Sequence, residues 1–286
     1  MISINARRIL FILVFKVSFL IAGAQSLPQV LDVADKQFRL GNYSLALKEY
    51  QRFLFFDSIA EPEVYDHIGT CFQNLKQFEQ AAGFYDKAYF SYTNDHLKNI
   101  ALFSKVECMI YMHDFALALA DILSINDTIT GEDYYKKELL VGICYFGMED
   151  FTNSKASFVN CIESGDSVTR RKIVLIFDNK KNFYKPNPKT ASILSMCFPG
   201  LGQFYAGDIR NGINSVLLTS ALAFLGARIA INQTIYDAFF TVMPWFQRYY
   251  QGGYVRAENI AIQKRAIHRS KVYEDTLELI ANTKKH

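Results

Sequence analysis

Cysteine and histidine are the residue types in this chain that would most readily supply a nucleophile or a metal ligand. The chain has five of each among its 286 residues. No two cysteines form a CxxC pair, and no cysteine–histidine pair has metal-site spacing. The scattered histidines, such as His67, His96 and His113, also lack the partners that catalysis needs. We therefore expect no catalytic residue, no metal and no cofactor.

A glycine-rich run at 199–207, Pro-Gly-Leu-Gly-Gln-Phe-Tyr-Ala-Gly, is the second candidate for a functional loop. Glycine-rich loops that cradle phosphates are followed by a Lys-Ser/Thr pair. No such pair follows Gly207, and the flanking residues are apolar. Glycines in such surroundings allow helices to approach closely. We expect a close-packed membrane bend formed by Pro199, Gly200, Gly202, Gln203, Tyr205 and Gly207.

Charge is distributed unevenly along the chain, although the formal net charge is only +3. From Pro28 to Gly165 there are 11 basic and 20 acidic residues, whereas Arg170 to Lys189 contains seven basic residues and one Asp. The tail from residue 264 onward has six basic and three acidic residues. Basic residues on both sides of an apolar block are typical of a membrane anchor rather than of a nucleic-acid-binding protein.

The N-terminus has the pattern of a secretory signal peptide at 1–24. A pair of arginines precedes an apolar run, and Ala22 and Ala24 stand at the two positions that a signal peptidase reads. Lys16 interrupts the apolar run, and an uncleaved N-terminal anchor is the alternative. Cleavage would place the mature chain in a periplasm or a similar compartment.

A period of about 35 residues organises the segment from 28 to 165. An aromatic residue is followed three positions later by a small residue, and this pair recurs four times. Small residues at this spacing let paired helices approach closely, while the aromatic residues fill the space between pairs. The pairs are Tyr43 with Ala46, Phe78 with Ala81, Phe115 with Ala118, and Phe151 with Ser154.

This pattern resembles the tetratricopeptide repeat (TPR), a helix–turn–helix unit of about 34 residues. The resemblance implies an array at 25–168 with units at about 27–60, 62–95, 99–130 and 135–166. Such units bury their apolar faces only by stacking, so a curved solenoid is expected. Cysteines at equivalent first-helix positions would then be roughly 10 Å apart, which is too far for a disulfide, and we expect inert core thiols.

TPR arrays usually bind partners on the concave face formed by their first helices, so the resemblance predicts a groove here. We expect it to change from polar and acidic to apolar along its length, as suits a peptide with an apolar anchor. The alternative is that the segment 172–177 covers the apolar end. By motif position, the second unit contributes Glu63, Asp66, Thr70, Gln73 and Asn74, and the fourth contributes Lys136, Leu139, Ile143, Phe146 and Gly147.

Apolar stretches dominate the region that follows a basic connector at 169–189. One stretch, at 212–231, supplies the roughly 20 residues that a membrane span needs. The stretch before it is broken by glycines, and the stretch after it is aromatic and contains the only Trp, which is typical of a membrane interface. We therefore expect a membrane helical module at 190–260 and a basic helical tail at 261–286.

The run Pro-Gly-Leu-Gly-Gln-Phe-Tyr-x-Gly followed by a helix resembles bacterial membrane hairpins of the two-transmembrane type, over about 190–260. That resemblance implies membrane association and no assigned chemistry. The chain departs from it by having a third aromatic segment and by lacking the usual acid in the second helix, so two and three crossings stay open. Orientation stays open as well, because positive flanks favour the cytoplasm while the connector adjoins an exported array.

Together these patterns predict an all-α protein, a TPR solenoid followed by a transmembrane helical hairpin. The expected function is that of a non-enzymatic envelope scaffold, whose array binds a protein or peptide partner on the periplasmic side while the C-terminal helices contact membrane lipid. No nucleic acid or small-molecule substrate is expected as a partner. The alternative is an accessory subunit of a membrane enzyme, insertase or transporter, in which the C-terminal module is the working part.

Overall fold

The computed structural model describes residues 26–56, 61–126, 129–163 and 165–283. Within these ranges the backbone forms fourteen α-helices, and the same ranges contain no β-strand. The predicted all-α class is therefore confirmed, whereas the finer assignments to a TPR solenoid and a transmembrane hairpin stay predictions. The predicted signal peptide at 1–24 lies outside the described residues.

The chain divides into two compact units, residues 1–148 and residues 149–286. The boundary falls in the turn between two helices that the sequence analysis places in one repeat, at 135–166. Seven helices lie in the described part of the first unit: α1 (Leu27–Arg39), α2 (Tyr43–Phe56), α3 (Pro62–Asn74), α4 (Phe78–Ser91), α5 (Asp95–Tyr111), α6 (Phe115–Leu123) and α7 (Gly131–Gly147).

Small residues lie where the helices of the first unit approach one another. Consecutive helices pack against one another, both within the predicted repeats, as in α1–α2, α3–α4 and α5–α6, and between them, as in α4–α5. Ala46, Ala81 and Ala118 have no exposed surface in the second helix of each pair. In α3, a Cβ added to Gly69 would lie 2.8 Å from the ring of Tyr85. The ring can therefore lie against the α3 backbone only because that residue is glycine.

The turns that join paired helices share one backbone geometry. In the turns before α2, α4 and α6, an N–H donates to the carbonyl five residues earlier, which is the Schellman arrangement at a helix C-terminus. The same bond occurs in the second unit, from Asp208 N–H to Gln203 O at 2.8 Å. In these four turns the residue two positions before the next helix is left-handed, with positive φ at Gly41, Lys76, His113 and Gly207, and Glu149 has a positive φ two positions before α8.

The cysteines behave as core thiols. Cys71, Cys108 and Cys144 have no exposed surface, and Cys161 is also buried, whereas Cys197 is exposed. All five are free thiols in the structure. Burial raises the pKa of Cys71, Cys108 and Cys144 to about 12, so these thiols stay protonated and are poor nucleophiles at neutral pH.

The second unit is built around one long helix. Its described helices are α8 (Phe151–Asn160), α9 (Ser167–Asp178), α10 (Lys181–Tyr184), α11 (Pro188–Cys197), α12 (Leu201–Tyr205), α13 (Ile209–Asn232) and α14 (Ile235–Thr283). The last of these has 49 residues and packs against α9 to α13. The aromatic stretch and the basic tail, which the sequence analysis separates, therefore belong to one helix that continues through Pro244.

Helices α13 and α14 form an antiparallel hairpin. A Cβ added to Gly226 would lie 3.5 Å from Val242, and one added to Gly253 would lie 3.1 Å from Ser215. Later residues of α14 therefore lie opposite earlier residues of α13, as in an antiparallel pair. The turn at 233–234 is closed by Thr234, whose hydroxyl donates to Asp237 and accepts from that residue's N–H.

Helix α13 is long and apolar enough to cross a membrane, and it is the one helix of the described residues that meets both conditions. Its 24 residues extend about 36 Å, against roughly 30 Å for the hydrocarbon core. Only 6% of its apolar window is buried within the protein. This exposure is weakly consistent with membrane association, because a core helix of similar composition would be largely covered.

Candidate functional site

The polar end of the predicted groove lies on α3, where most of its residues are joined by hydrogen bonds. Thr70 Oγ1 donates to the backbone oxygen of Asp66 at 3.0 Å and lies 3.2 Å from the hydroxyl of Tyr85. Tyr85 in turn donates to Gln73 Oε1 at 2.6 Å, and Asn74 donates to the backbone oxygen of Thr70. These groups are therefore positioned by internal partners, while the fifth predicted residue, Glu63, is exposed.

Asp66 is the least satisfied polar side chain on this helix. The hydroxyl of Tyr92 donates to its Oδ2 at 3.2 Å. Its Oδ1 is buried and has no hydrogen-bond partner among the described residues. Burial raises the pKa of the Asp66 carboxyl, because desolvation disfavours the charged form. The unpaired buried oxygen adds to the cost of burying this carboxyl.

A second polar group beside α3 involves residues that the sequence analysis did not bring together. Tyr50 donates to Asp35 Oδ1 at 2.6 Å and lies 2.9 Å from His67 Nδ1. The His67 ring stacks on Phe38 with centroids 4.3 Å apart. Burial raises the pKa of Tyr50, so this hydroxyl is a hydrogen-bond donor and not an activated nucleophile. Recurrence of Tyr at one repeat position, 50 and 85, is the sequence signal that could have found this group.

The apolar end of the predicted groove lies on α7 and is only partly accessible. Leu139, Ile143 and Phe146 are each half-buried. Lys136 bonds to Glu107 at 2.9 Å, and a Cβ on Gly147 would lie 2.5 Å from the ring of Phe115. The apolar side chains of this end are therefore only partly exposed on α7.

Two of the three glycines of the predicted bend, Gly200 and Gly202, lie in very close contacts, whereas a Cβ on Gly207 would meet nothing within 4 Å. A Cβ on Gly202 would lie 1.9 Å from the carbonyl oxygen of Ala191 in α11, so α12 approaches α11 through that glycine. Gly200 has a φ of 94°, and a Cβ there would lie 2.6 Å from the backbone oxygen of Gly212. Gly207 also has a positive φ, of 79°, at the entrance to α13. Pro199 directly precedes this bend.

The polar residues of the bend connect its helices to α14. Gln203 has no exposed surface; its Oε1 accepts from Ser195 Oγ at 2.7 Å and its Nε2 donates to Gly253 O at 2.8 Å. Ser195 Oγ also accepts from the Gly202 N–H. The hydroxyl of Tyr205 accepts from the N–H of Asn187 at 3.1 Å. The structure thus brings Gly202, Gln203 and Tyr205 into one packed corner and adds Ser195 as a partner.

Beside this corner lies a cavity of about 420 Å³ between α12, α13 and α14. Arg248 and Arg256 of α14 line it, and neither was predicted as a site residue. Which α13 residues lie opposite these arginines depends on the register of the hairpin, which sequence spacing does not reveal. The other lining residues are Gln203, Asn211, Asn214, Ser215, Leu218, Thr219, Tyr249, Gly252 and Gly253.

The groove on α3 and the cavity in the hairpin differ in the groups that they present. No cluster of three or more His, Cys, Asp or Glu side chains that could hold a metal occurs among the residues that the structure describes. What both regions offer is hydrogen bonding and charge: an acidic, tyrosine-rich face on α3, and a cationic cavity in the hairpin.

Comparisons with known proteins give no relative. No family model, no curated protein and no solved structure matches the chain.

Proposed function

We propose that this chain is a non-enzymatic envelope scaffold whose helical array is tethered to a membrane by the hairpin α13–α14. The observation that carries the proposal is the exposure of α13, an apolar helix of spanning length with 6% of its window buried. Large apolar side chains are also exposed along the first half of α14, including Phe239, Phe240 and Trp245. Contiguous apolar surface of this kind is typical of lipid or protein contact.

The array is proposed to be TPR-like and to bind a protein or peptide partner along α3. Its support is the pairing of helices through buried small residues and the recurrence of one turn geometry. On α3, the exposed carboxylate of Glu63 and the neighbouring, partly buried Asp66 favour a partner segment that carries a Lys or Arg side chain. An Asp66→Ala, Glu63→Ala double variant should then lose partner crosslinks that wild-type protein forms in native membranes.

The array is proposed to lie on the periplasmic side, because the N-terminal pattern at 1–24 is that of a signal peptide. Protease added to spheroplasts should then digest the first unit without lysis of the cells. Protection of that unit until lysis would place the array in the cytoplasm and would contradict export.

Carbonate extraction of the full-length chain tests the tether. Burial of α13 in hydrocarbon is worth far more than attraction of basic residues to anionic lipid, which supplies about 1 kcal/mol per Lys or Arg. Alkaline carbonate and high salt should therefore leave the protein in the membrane pellet. The full chain is the right material, because α14 also packs on α9 and α10 and its deletion would expose their buried faces. Release of the intact chain by carbonate would show that the hairpin is not inserted.

An accessory subunit of a membrane enzyme, insertase or transporter is the second candidate, and the cationic cavity in the hairpin favours it. Crosslinking in native membranes separates the two. Partners attached mainly at α3 would support the scaffold, whereas partners attached mainly along α13 and α14 would support the accessory role.

A further inference from the structure

The cavity between α12, α13 and α14 has the size and chemistry of a site for an anion. Its volume of about 420 Å³ lies within the roughly 300–1,000 Å³ typical of ligand pockets. Two guanidinium groups line it, and none of its lining residues is Asp or Glu. Guanidinium groups bind phosphate and carboxylate oxygens in paired, charge-assisted hydrogen bonds.

The two guanidinium groups line the cavity as cations that the described residues leave without hydrogen bonds. Within the described part of the chain, no hydrogen bond or ion pair joins Arg248 or Arg256 to another residue. The neighbouring acid is Asp208, whose carboxylate accepts from the backbone and side chain of Asn211. Those bonds, with smaller contributions from the charges of Lys264 and Arg256, hold the pKa of Asp208 below its usual value. The two arginines therefore remain available to an external anion.

The position of the cavity along the hairpin indicates which anions can reach it. Its α13 residues lie between 211 and 219, at the end of the hairpin opposite the turn. Arg256 lies about 32 Å along α14 from the turn, close to the thickness of the hydrocarbon core, and Arg248 lies about 12 Å nearer the turn. In a spanning hairpin, the outer arginine would lie at the depth of lipid phosphates.

An apolar cavity adjoins the cationic one. It has a volume of about 220 Å³ and shares Thr219 as a lining residue. Its remaining lining is largely apolar, with Phe198, Pro199, Val216 and Phe246 among the contributing residues. A cationic cavity and an apolar cavity that share a wall residue suit an amphiphile better than a free ion.

We propose that the Arg248–Arg256 cavity binds a phosphate group, and that the group belongs to the headgroup of a phospholipid. The lipid source rests on the proposed membrane tether, whereas the phosphate chemistry rests on the cavity alone. A bound phosphate would balance the positive charge that the two guanidinium groups bring to the cavity.

The test is binding to the full-length chain purified in a maltoside detergent, followed by native mass spectrometry. Three probes are added separately: phosphatidylglycerol, glycerol phosphate and diacylglycerol. Wild-type protein should retain phosphatidylglycerol and should not retain diacylglycerol, which lacks the phosphate. An Arg248→Gln, Arg256→Gln double variant should bind phosphatidylglycerol at least about tenfold more weakly, because it loses both positively charged hydrogen-bond donors of the cavity.

The matched control removes the same charge elsewhere on the hairpin. Arg210 and Arg228 are exposed residues of α13 that do not line the cavity, so Arg210→Gln, Arg228→Gln should bind within about twofold of wild type. Asn214→Asp keeps both arginines but adds a negative charge to the wall and should also weaken binding. Equal losses in both double variants, or no loss in the first, would overturn the site.

The probes and a carbonate wash separate the two parts of the proposal. Glycerol phosphate that binds with the same dependence on Arg248 and Arg256 would support the phosphate site and overturn its assignment to lipid. Both double variants should remain in the membrane pellet after carbonate, since α13 holds the chain there. Release of wild-type protein by carbonate would contradict the tether. The released protein would still test the phosphate site, because binding of glycerol phosphate would support that site and absence of binding would contradict it.

Discussion

Gly202 is the residue of the second unit that tolerates a side chain least. The position that its Cβ would occupy is 1.9 Å from the Ala191 carbonyl oxygen, and backbone cannot move aside as a flexible side chain can. Gly202→Ala should therefore lower the free energy of unfolding by at least about 1–3 kcal/mol. Thermal unfolding of the full chain in detergent measures this change.

The matched control for that substitution is Gly226→Ala in α13. A Cβ at Gly226 would lie 3.5 Å from Val242, an ordinary van der Waals distance. Alanine also favours a helix over glycine by roughly 1 kcal/mol, so this variant should unfold at the same or a higher temperature than wild type. Equal melting temperatures for Gly202→Ala and wild type would show that α11 and α12 are not in close contact.

Asp66 should make the stability of the chain fall as pH rises. Its folded-state pKa is raised by burial, so the folded state binds more protons than the unfolded state between the unfolded and folded pKa values. The resulting penalty is absent below about pH 4 and is fully present above the folded pKa. Asp66→Asn should therefore raise the melting temperature at pH 7 and change it little near pH 4. A larger benefit at pH 4 than at pH 7 would contradict this account.

The helix-pair turns are the elements whose sequence is least suited to their backbone. Lys76 adopts a φ of 60°, a left-handed conformation that costs a residue with a Cβ about 1–2 kcal/mol. Part of the gain from glycine is offset by its greater freedom in the unfolded chain. Lys76→Gly should therefore stabilise the chain by about 0.5–1 kcal/mol in denaturant unfolding. Lys76→Ala keeps the Cβ and should therefore change stability by less than Lys76→Gly. An equal gain from Lys76→Ala would show that loss of the lysine charge, and not the backbone conformation, causes the stabilisation.

The positions where helices begin follow directly from the sequence, because they are set by local chemistry. The aromatic residues of the 35-residue period, Tyr43, Phe78, Phe115 and Phe151, are each the first residue of a helix. The continuity of α14 could not be predicted in this way. Pro244 removes a backbone donor and usually ends or kinks a helix, but packing against α13 holds the helix together there. The continuity of α14 at Pro244 thus depends on tertiary contacts, which no local sequence pattern reveals.

At the scale of the whole molecule, the single tryptophan reports where the hairpin sits. Trp245 is exposed and lies about 15 Å along α14 from the turn, which is half the thickness of the hydrocarbon core. In vesicles, its fluorescence should shift to the blue and should be quenched more by bromines deep in the acyl chains than by bromines near the headgroups. Stronger quenching near the headgroups would place the hairpin flat at the interface, where tryptophan is most often found.

The candidate sites differ in how far the sequence could reveal them. Close packing at Gly200 and Gly202 could be predicted from glycines with apolar flanks, while their role in a membrane bend stays a prediction. The cavity could not be predicted, because Arg248 and Arg256 meet α13 only in the register set by Gly253 against Ser215. The predicted groove is intermediate in how far the sequence reveals it. Repeat position suggested its residues, but only the structure shows that tyrosine hydroxyls bond to Thr70, Gln73 and Asp66.

The same turn occurs in both units, so the turn does not determine whether a helix pair faces water or lipid. Reversal of the chain at Gly41 and at Gly207 needs only a left-handed residue and a bond back to the preceding helix, so it is complete within a few residues. A small residue three positions into the next helix, Ala46 or Gly212, then admits its neighbour. Whether the outward faces meet water or hydrocarbon is decided separately, by side chains that take no part in the reversal. The turn residues and the small contact residues thus specify how the helices pack, whereas the outward-facing side chains specify the environment that they suit.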